Sequence, residues 1–308
     1  MIKKTLYFGN PAYLSLKDRQ IVIRLPKVDG EEASKESESI VTKPIEDVAY
    51  VVLDNNQITI TQALLSALLD CNVAVISCDS RGLPAGLMLP LDGNQSQSYK
   101  WQCQIEASIP LKKRLWQLTV QAKIVNQATV LKECARCETG CMLKWASVVK
   151  SGDVDNQEAR AAAYYWKRLF WDIKYFSRDR YGMPPNNLLN YGYAILRGVV
   201  ARALVSSGLL PTFGIHHHNK YNAYCLADDI MEPYRPFVDE LVYRIVEKDG
   251  IPPHELNREW KTKMLVIPTL DVTIAGRRMP LMVAVSQTTA SLYKCYNGEM
   301  RHIIYPER

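Results

Sequence analysis

Short apolar runs broken by turn residues open the chain. Thr5 to Phe8, Tyr13 to Ser15 and Gln20 to Leu25 carry the β-branched, aromatic and aliphatic residues that suit a pleated, half-buried strand. Gly9-Asn10-Pro11 and Lys17-Asp18-Arg19 read as the turns between them. Ile45 to Leu53, Gln57 to Ile60 and Val73 to Cys78 continue the strand pattern. Thr61 stands where a helix running to Asp70 needs a cap, since its hydroxyl can accept from an unpaired first-turn N–H. Residues 31–42 (EEASKESESIVT) have little to bury and predict a flexible insertion.

The period changes after a polar stretch, LDGNQSQS, beginning at Leu91. Trp101, Ile105, Leu111, Leu115 and Leu118 recur at helical spacing, and so does the run Lys123-Ile124-Val125-Asn126-Gln127. Asn156 predicts the cap of another helix, with Glu158 in its first turn, where an anion is stabilised by the helix N-terminus. Small residues follow, Ala159 and Ala161 to Ala163, which permit close packing beside that carboxylate. From Pro184 the chain leads into an almost wholly apolar helix reaching Ser206, the central one of its domain. The predicted fold class is α+β: a small N-terminal β-sandwich domain with one helix at 1–92, a linker at 93–99, and a larger all-helical C-terminal domain at 100–308.

Candidate chemistry gathers between Gly208 and Asp239. Pro211 and Gly214 end an apolar run, which leaves His216, His217 and His218 in a loop. From Cys225 on, Leu226, Ile230, Met231 and Val238 recur at helical spacing, and in that frame Asp229 and Glu232 stand three apart on one face. Such a face suits Mg²⁺ or Mn²⁺, and an imidazole raises the preference for Mn²⁺ or a softer ion. Two other readings stay open: a solvated helix face, and a two-histidine, one-carboxylate iron site built on His216 and His218. The chain has no His-Glu-x-x-His, which argues against zinc-protease chemistry, and no Walker motif.

Composition narrows the class. The chain has 308 residues, 47% hydrophobic and 23% charged, enough for two domains with their own cores. No apolar run approaches the ~18 to 20 residues that span a bilayer, and no basic-then-apolar leader opens the chain, so a cytoplasmic protein without a membrane partner is expected. The eight cysteines are scattered among apolar neighbours, as reduced, buried thiols would be. Cys134, Cys137 and Cys141 have the spacing of one helix face and read as structural thiols rather than a zinc or iron–sulfur site. Charge is divided unevenly: 9 Lys and Arg face 12 Asp and Glu before residue 100, and 29 face 20 from there on. A basic helical domain points to a polyanionic partner, because each phosphate neutralised by Lys or Arg releases condensed counterions. Lys167, Arg168, Arg178, Arg180, Arg277 and Arg278 are candidates for phosphate contact, with Trp166 and Trp171 among them. A DNA-binding scaffold without catalysis would need no more than this.

Glu158 with its alanines and aromatics, NNLLNYGYAILRGVVARAL, GLLPTFGIHH and LADDIMEPYRPFVD together resemble the CRISPR-associated integrase, the catalytic subunit of the spacer-acquisition complex. YFGNPAYLSL, PIEDVAYVVLDNNQITIT and VAVISCDSRGLPAGLMLPL extend the resemblance over nearly the whole chain, and the Asn-rich loop before LADD is most similar to type II versions. The resemblance implies a metal-dependent DNA endonuclease and integrase that inserts short foreign DNA fragments into the CRISPR array by transesterification from a 3′-hydroxyl. It implies Glu158, His217 and Glu232 as ligands of Mg²⁺ or Mn²⁺, and Asp229 as a further acidic residue at the catalytic site. It also implies DNA ends and the leader–repeat as substrates, a homodimer, and a small companion adaptation protein. The chain departs from the family at Gly208-Leu209-Leu210-Pro211, where many relatives carry Gly-Leu-Asp-Pro, and in having Glu232 where Asp is more common.

Overall fold

The alternating runs of the first ninety residues pair into two sheets. The computed structural model describes residues 3–26, 40–80, 82–91, 94 and 96–308. It divides into two units, Met1–Leu91 and Asp92–Arg308. In the first unit β1 (Lys4–Phe8), β2 (Ala12–Lys17), β3 (Gln20–Arg24), β4 (Ile40–Pro44), β5 (Val48–Leu53) and β6 (Ile58–Ile60) precede α1 (Gln62–Asp70), β7 (Ala74–Cys78) and β8 (Pro84–Met88). One sheet has the order β1-β5-β7-β8 and the other β4-β3-β2-β6. Phe8, Val48, Val51 and Val75 of the first sheet, Leu14, Ile21 and Ile23 of the second, and Leu64 and Leu68 of α1 share one apolar core. Thr61 caps α1, its hydroxyl accepting from the Leu64 N–H at 3.4 Å.

Three details differ from the sequence reading. Residues 31–39 of the expected insertion lie outside the described residues, but 40–42 begin β4, pairing antiparallel with β3 in the register Val22↔Thr42. Ile40, Val41 and Thr42 are all β-branched, so the ladder extends through them despite the polar context. Strand β8, PAGLM, gives little pattern because Pro and Gly are depleted in strands; it is an edge strand, where Pro84 is tolerated. Ile45–Asp47 forms a 3₁₀ turn ahead of β5.

The second unit contains α2 (Gln97–Ile105), α3 (Ile109–Ala135), α4 (Gly140–Ser147), α5 (Gln157–Leu169), α6 (Asn186–Ser206), α7 (Cys225–Met231), α8 (Arg235–Asp249) and α9 (Arg258–Met264), then β9 (Asp271–Ile274), β10 (Arg277–Pro280), α10 (Leu281–Tyr296) and β11 (Pro306–Glu307). It is therefore helix-rich but not all-helical. A three-stranded sheet β10-β9-β11 closes on Ala275 and Gly276, both at positive φ (49° and 71°), the backbone that a two-residue hairpin requires. The expected linker is partly helix, since α2 already starts at Gln97.

Helices α3 and α6 are the frame of this unit. Helix α3 buries Leu115, Trp116, Val120, Ile124 and Leu131, and with them Lys123. Helix α6 is long and apolar enough to cross a bilayer by length and composition, which the sequence reading missed. Yet 72% of its most apolar window is buried, against α7, α8 and α10. Cys134, Cys137 and Cys141 do not share a helix face: α3 closes at Ala135 with Arg136 left-handed (φ 51°), so they lie on one helix, a loop and the next helix. None of the eight cysteines is in a disulfide bond, and only Cys225 and Cys295 are buried.

Candidate functional site

The first turn of α5 is capped twice. Asn156 accepts from the Ala159 N–H at 3.4 Å, and Asp153 accepts from the N–H groups of Gln157 and Glu158 at 2.9 and 3.0 Å. Because these two residues satisfy the helix end, the Glu158 carboxylate is free to turn toward α3, where Oε1 lies 2.6 Å from Lys123 Nζ. The same ammonium is 2.6 Å from Glu232 Oε2. That oxygen is buried and makes no directed hydrogen bond, while Glu232 Oε1 lies 3.0 Å from Arg235 Nε. Burial alone would raise the Glu232 carboxyl, but Arg235 and Lys123 outweigh it and hold it below its ordinary value. Burial would likewise lower Lys123, and Glu232 and Glu158 reverse that, so the ammonium is kept charged.

The helical frame of the sequence predicts that Asp229 and Glu232 face one way, and the structure separates them. Pro233 and Pro236 have no N–H to continue α7, so Glu232–Tyr234 tightens into a 3₁₀ turn before α8 begins at Arg235. Glu232 meets Lys123 and Arg235, whereas Asp229 meets the histidine loop. Fully buried, Asp229 accepts from the N–H groups of Ile215 at 2.6 Å, His216 at 2.9 Å and His217 at 3.3 Å, and its Oδ1 faces His217 Nδ1 at 2.5 Å. Gly214 makes the approach possible: a Cβ there would stand 2.4 Å from the His217 carbonyl oxygen and 2.8 Å from Asp229 Oδ2. With Nδ1 committed to Asp229, Nε2 is the nitrogen His217 has left to offer. The Asp229 hydrogen bond raises the His217 pKa against the effect of burial, and Glu232 and Glu158 are near enough for their charges to add to the rise.

The neighbouring histidines are placed differently. The His216 ring stacks on Trp116, centroids 4.2 Å apart and 3° from parallel, and burial lowers its pKa. His218 is exposed. Among the described residues these two gather no carboxylate into an iron-type site. The turn that lacks a carboxylate at Leu210 is tied instead by buried Gln104, which donates to the carbonyls of Leu210 and Phe213 at 2.9 and 3.1 Å and accepts from the Leu210 N–H at 2.9 Å.

Two carboxylates and an imidazole nitrogen form a donor set that fits a hard or borderline divalent cation, and the buried Glu232 Oε2, which faces the Lys123 ammonium at 2.6 Å, is already paired with a positive charge. As the side chains stand, no three His, Cys, Asp or Glu among the described residues are drawn together around one point. The point where Glu158 and Glu232 converge is held by the Lys123 ammonium. Beside it lies a polar cavity of about 260 Å³ lined by Lys123, Arg178, Arg180, Arg235 and Asp239 with Trp166 and Tyr193. Arg178 is fixed by Asn186 and Asn190 at 2.9 and 2.8 Å. Of the other basic candidates, Lys167 and Arg277 are exposed, Arg168 lies over the Tyr164 ring, and Arg278 pairs with Asp271 at 2.7 Å.

Sequence reasoning missed Lys123, Gln104, Asp153 and Asp239. The signal for Lys123 was present: it interrupts the apolar face that Trp116, Thr119 and Val120 present on α3, where an unpaired charge would be costly. Gln104 and Asp153 gave none, since each acts on backbone groups brought to it by the fold.

The family model described as CRISPR associated protein Cas1 matches residues 6–267. The CRISPR-associated endonuclease Cas1 of Neisseria meningitidis serogroup C (strain 8013) is 35% identical over 292 residues, 94% of this chain and 91% of that protein. A casposase bound to integration product has a similar structure, with a TM-score of 0.77 at 19% identity over 97% of this chain and 92% of that one. A chain of a Cas6-RT-Cas1–Cas2 complex gives 0.73 at 19% identity, over 97% of this chain and 35% of that one. At such identities the likeness to the solved structures is one of fold.

Proposed function

The chain belongs to the Cas1 family of CRISPR-associated proteins, and from that premise we propose that it is a DNA endonuclease and integrase of CRISPR adaptation. Its reaction inserts short foreign DNA fragments into the array by transesterification from a 3′-hydroxyl. The observation that carries this reading is the convergence of Glu158 and Glu232 on one point, beside an imidazole that buried Asp229 holds in place. Glu158, His217 and Glu232 are the residues that would hold Mg²⁺ or Mn²⁺. Bound there, the ion supplies Lewis acidity to the scissile phosphate and lowers the pKa of the attacking hydroxyl.

The remaining residues orient and neutralise. Asp229 keeps His217 Nδ1 occupied and so presents Nε2, the arrangement in which a carboxylate behind an imidazole orients a ligand nitrogen. Arg235 and the cavity arginines Arg178 and Arg180 place positive charge where a phosphate gathers negative charge. The 3′-oxygen bonds to phosphorus as the bond to the departing 3′-oxygen breaks; the proton of the first hydroxyl is lost to solvent and the second oxygen gains one. One phosphodiester replaces another, so alignment and charge suffice and no nucleotide cofactor is required. Water in place of the hydroxyl gives endonuclease cleavage.

The partners follow from the same premise: fragment ends and the leader–repeat as DNA substrates, a second copy of this chain in a homodimer, and a small companion protein, in the cytoplasm. The Cas6-RT-Cas1–Cas2 complex supports the companion. The test is strand transfer from a 3′-hydroxyl-bearing duplex in Mn²⁺, Mg²⁺ or EDTA. Glu158→Gln, His217→Ala and Glu232→Gln should each lower transfer by about 100-fold or more, while duplex binding through dispersed Lys and Arg persists. Transfer that survives EDTA, or an active His217→Ala beside an inactive His216→Ala, would overturn the assignment.

A further inference from the structure

Lys123 occupies the position that the proposed function gives to a metal. Its Nζ stands 2.6 Å from both Glu158 Oε1 and Glu232 Oε2, and the lysine and Glu232 side chains are only 11% and 6% exposed. With Arg235 on the far side of Glu232, two carboxylates and two cations balance. A divalent ion added beside an ammonium that stayed in place would leave two surplus positive charges where water screens poorly, with the ammonium and the ion competing for the same oxygens. The lysine has a way out. Its four-carbon stem is flexible, and it already lines the adjoining cavity, whose wall carries Asp179 and Asp239 alongside Arg178, Arg180 and Arg235.

We propose that Lys123 is an exchangeable internal cation. In the metal-free protein it holds Glu158 and Glu232 together against their mutual repulsion, and it withdraws into the neighbouring cavity when a divalent ion takes its place. The inference rests on the metal-dependent reading given above and adds to it a positioning residue that competes with the ion. Two consequences follow. The site is assembled before metal arrives, and its affinity for metal is lower than the bare donor set would have.

Mn²⁺ binding, read by the electron paramagnetic resonance of the free ion, separates the two readings. In the full-length protein Glu158→Gln and His217→Ala should weaken binding by about tenfold or more, whereas Lys123→Met should tighten it by about tenfold. Lys123→Arg keeps the charge and should stay within about threefold of the unmutated protein. If the two ligand variants bind Mn²⁺ as the unmutated protein does, the metal reading and this inference fall together. If they lose the ion and Lys123→Met binds no tighter, the exchange alone is wrong. The unmutated protein gives a readout that does not depend on how the variant folds: acetylation of Lys123, followed by mass spectrometry, should be slow in EDTA and about fivefold faster or more with Mn²⁺. Equal rates in the two conditions would overturn the exchange.

Discussion

Asp239 shows at the scale of one residue what burial does to a carboxyl without a cation bound to it. Burial pushes it up to about 7, against the opposing pull of the Tyr193 and Tyr165 hydroxyls that donate to it and of Arg178 and Arg235 nearby. In the unfolded chain the same group ionises near pH ~4. Between that value and about 7 the native protein therefore keeps a proton that the unfolded chain has lost, and stability falls as pH rises through this window. The loss, roughly 4 kcal/mol at most, is complete above it. Asp239→Asn removes the titration. Its urea-unfolding free energy relative to the unmutated protein should rise by about 2 to 4 kcal/mol between pH 4 and pH 8; parallel pH profiles would show that Asp239 is not the group responsible. Gly214 makes a different kind of prediction. A methyl group there meets the His217 carbonyl at 2.4 Å, too close for any Cβ, so Gly214→Ala must shift the histidine loop. Strand transfer should drop by about tenfold or more with a stability cost of only ~1 to 3 kcal/mol, and an unchanged rate would mean that this loop does not set the site.

Elements were legible where the apolar period is long and stops are clear. Helix α6 runs to Ser206 as its pattern predicts, and Thr61 and Asn156 cap α1 and α5. The miss at α7 has a local cause, because Pro233 and Pro236 were in the sequence and a regular helical frame was read across them. Close packing of α6 left its mark in Gly192, where a Cβ would stand 2.6 Å from both Met264 Cε of α9 and Val238 Cγ1 of α8. Gly192→Ala gains helix propensity but overpacks this seam, and the balance should be a loss of ~1 to 3 kcal/mol in thermal or urea unfolding. A stabilised variant would show that the helices have slack there.

At the scale of the whole chain the asymmetry of charge carries the expectation. The region from residue 100 on is basic, with Lys167 and Arg277 among its exposed cations, so duplex binding should weaken linearly in log K against log salt, by about 0.9 per phosphate contact. The structure refines which substitutions matter. Arg277→Glu should flatten the slope by about one unit for all duplexes alike, and Arg278→Glu by less, because Asp271 already offsets that charge at 2.7 Å. Salt-independent binding would assign the basic surface another role.

The sequence by itself determined strands β1 to β3 and β5 to β7, helices α1, α5 and α6, the capped first turn that carries Glu158, the loop that carries His217, and the membership of the chain in its family. Each of these is recorded within a turn or two of chain, where apolar period, caps and Gly or Pro stops act. Tertiary structure alone decided that Asp229 meets the histidine loop, that Lys123 stands between Glu158 and Glu232, and that Gln104 replaces a missing turn carboxylate. The physical reason is that local period tells which face a side chain is on, while the charge it meets there is brought by another helix from a distant part of the chain. In a buried site that partner sets both the proton and the geometry, as α3 does when it brings Lys123 to α5 and to the turn after α7.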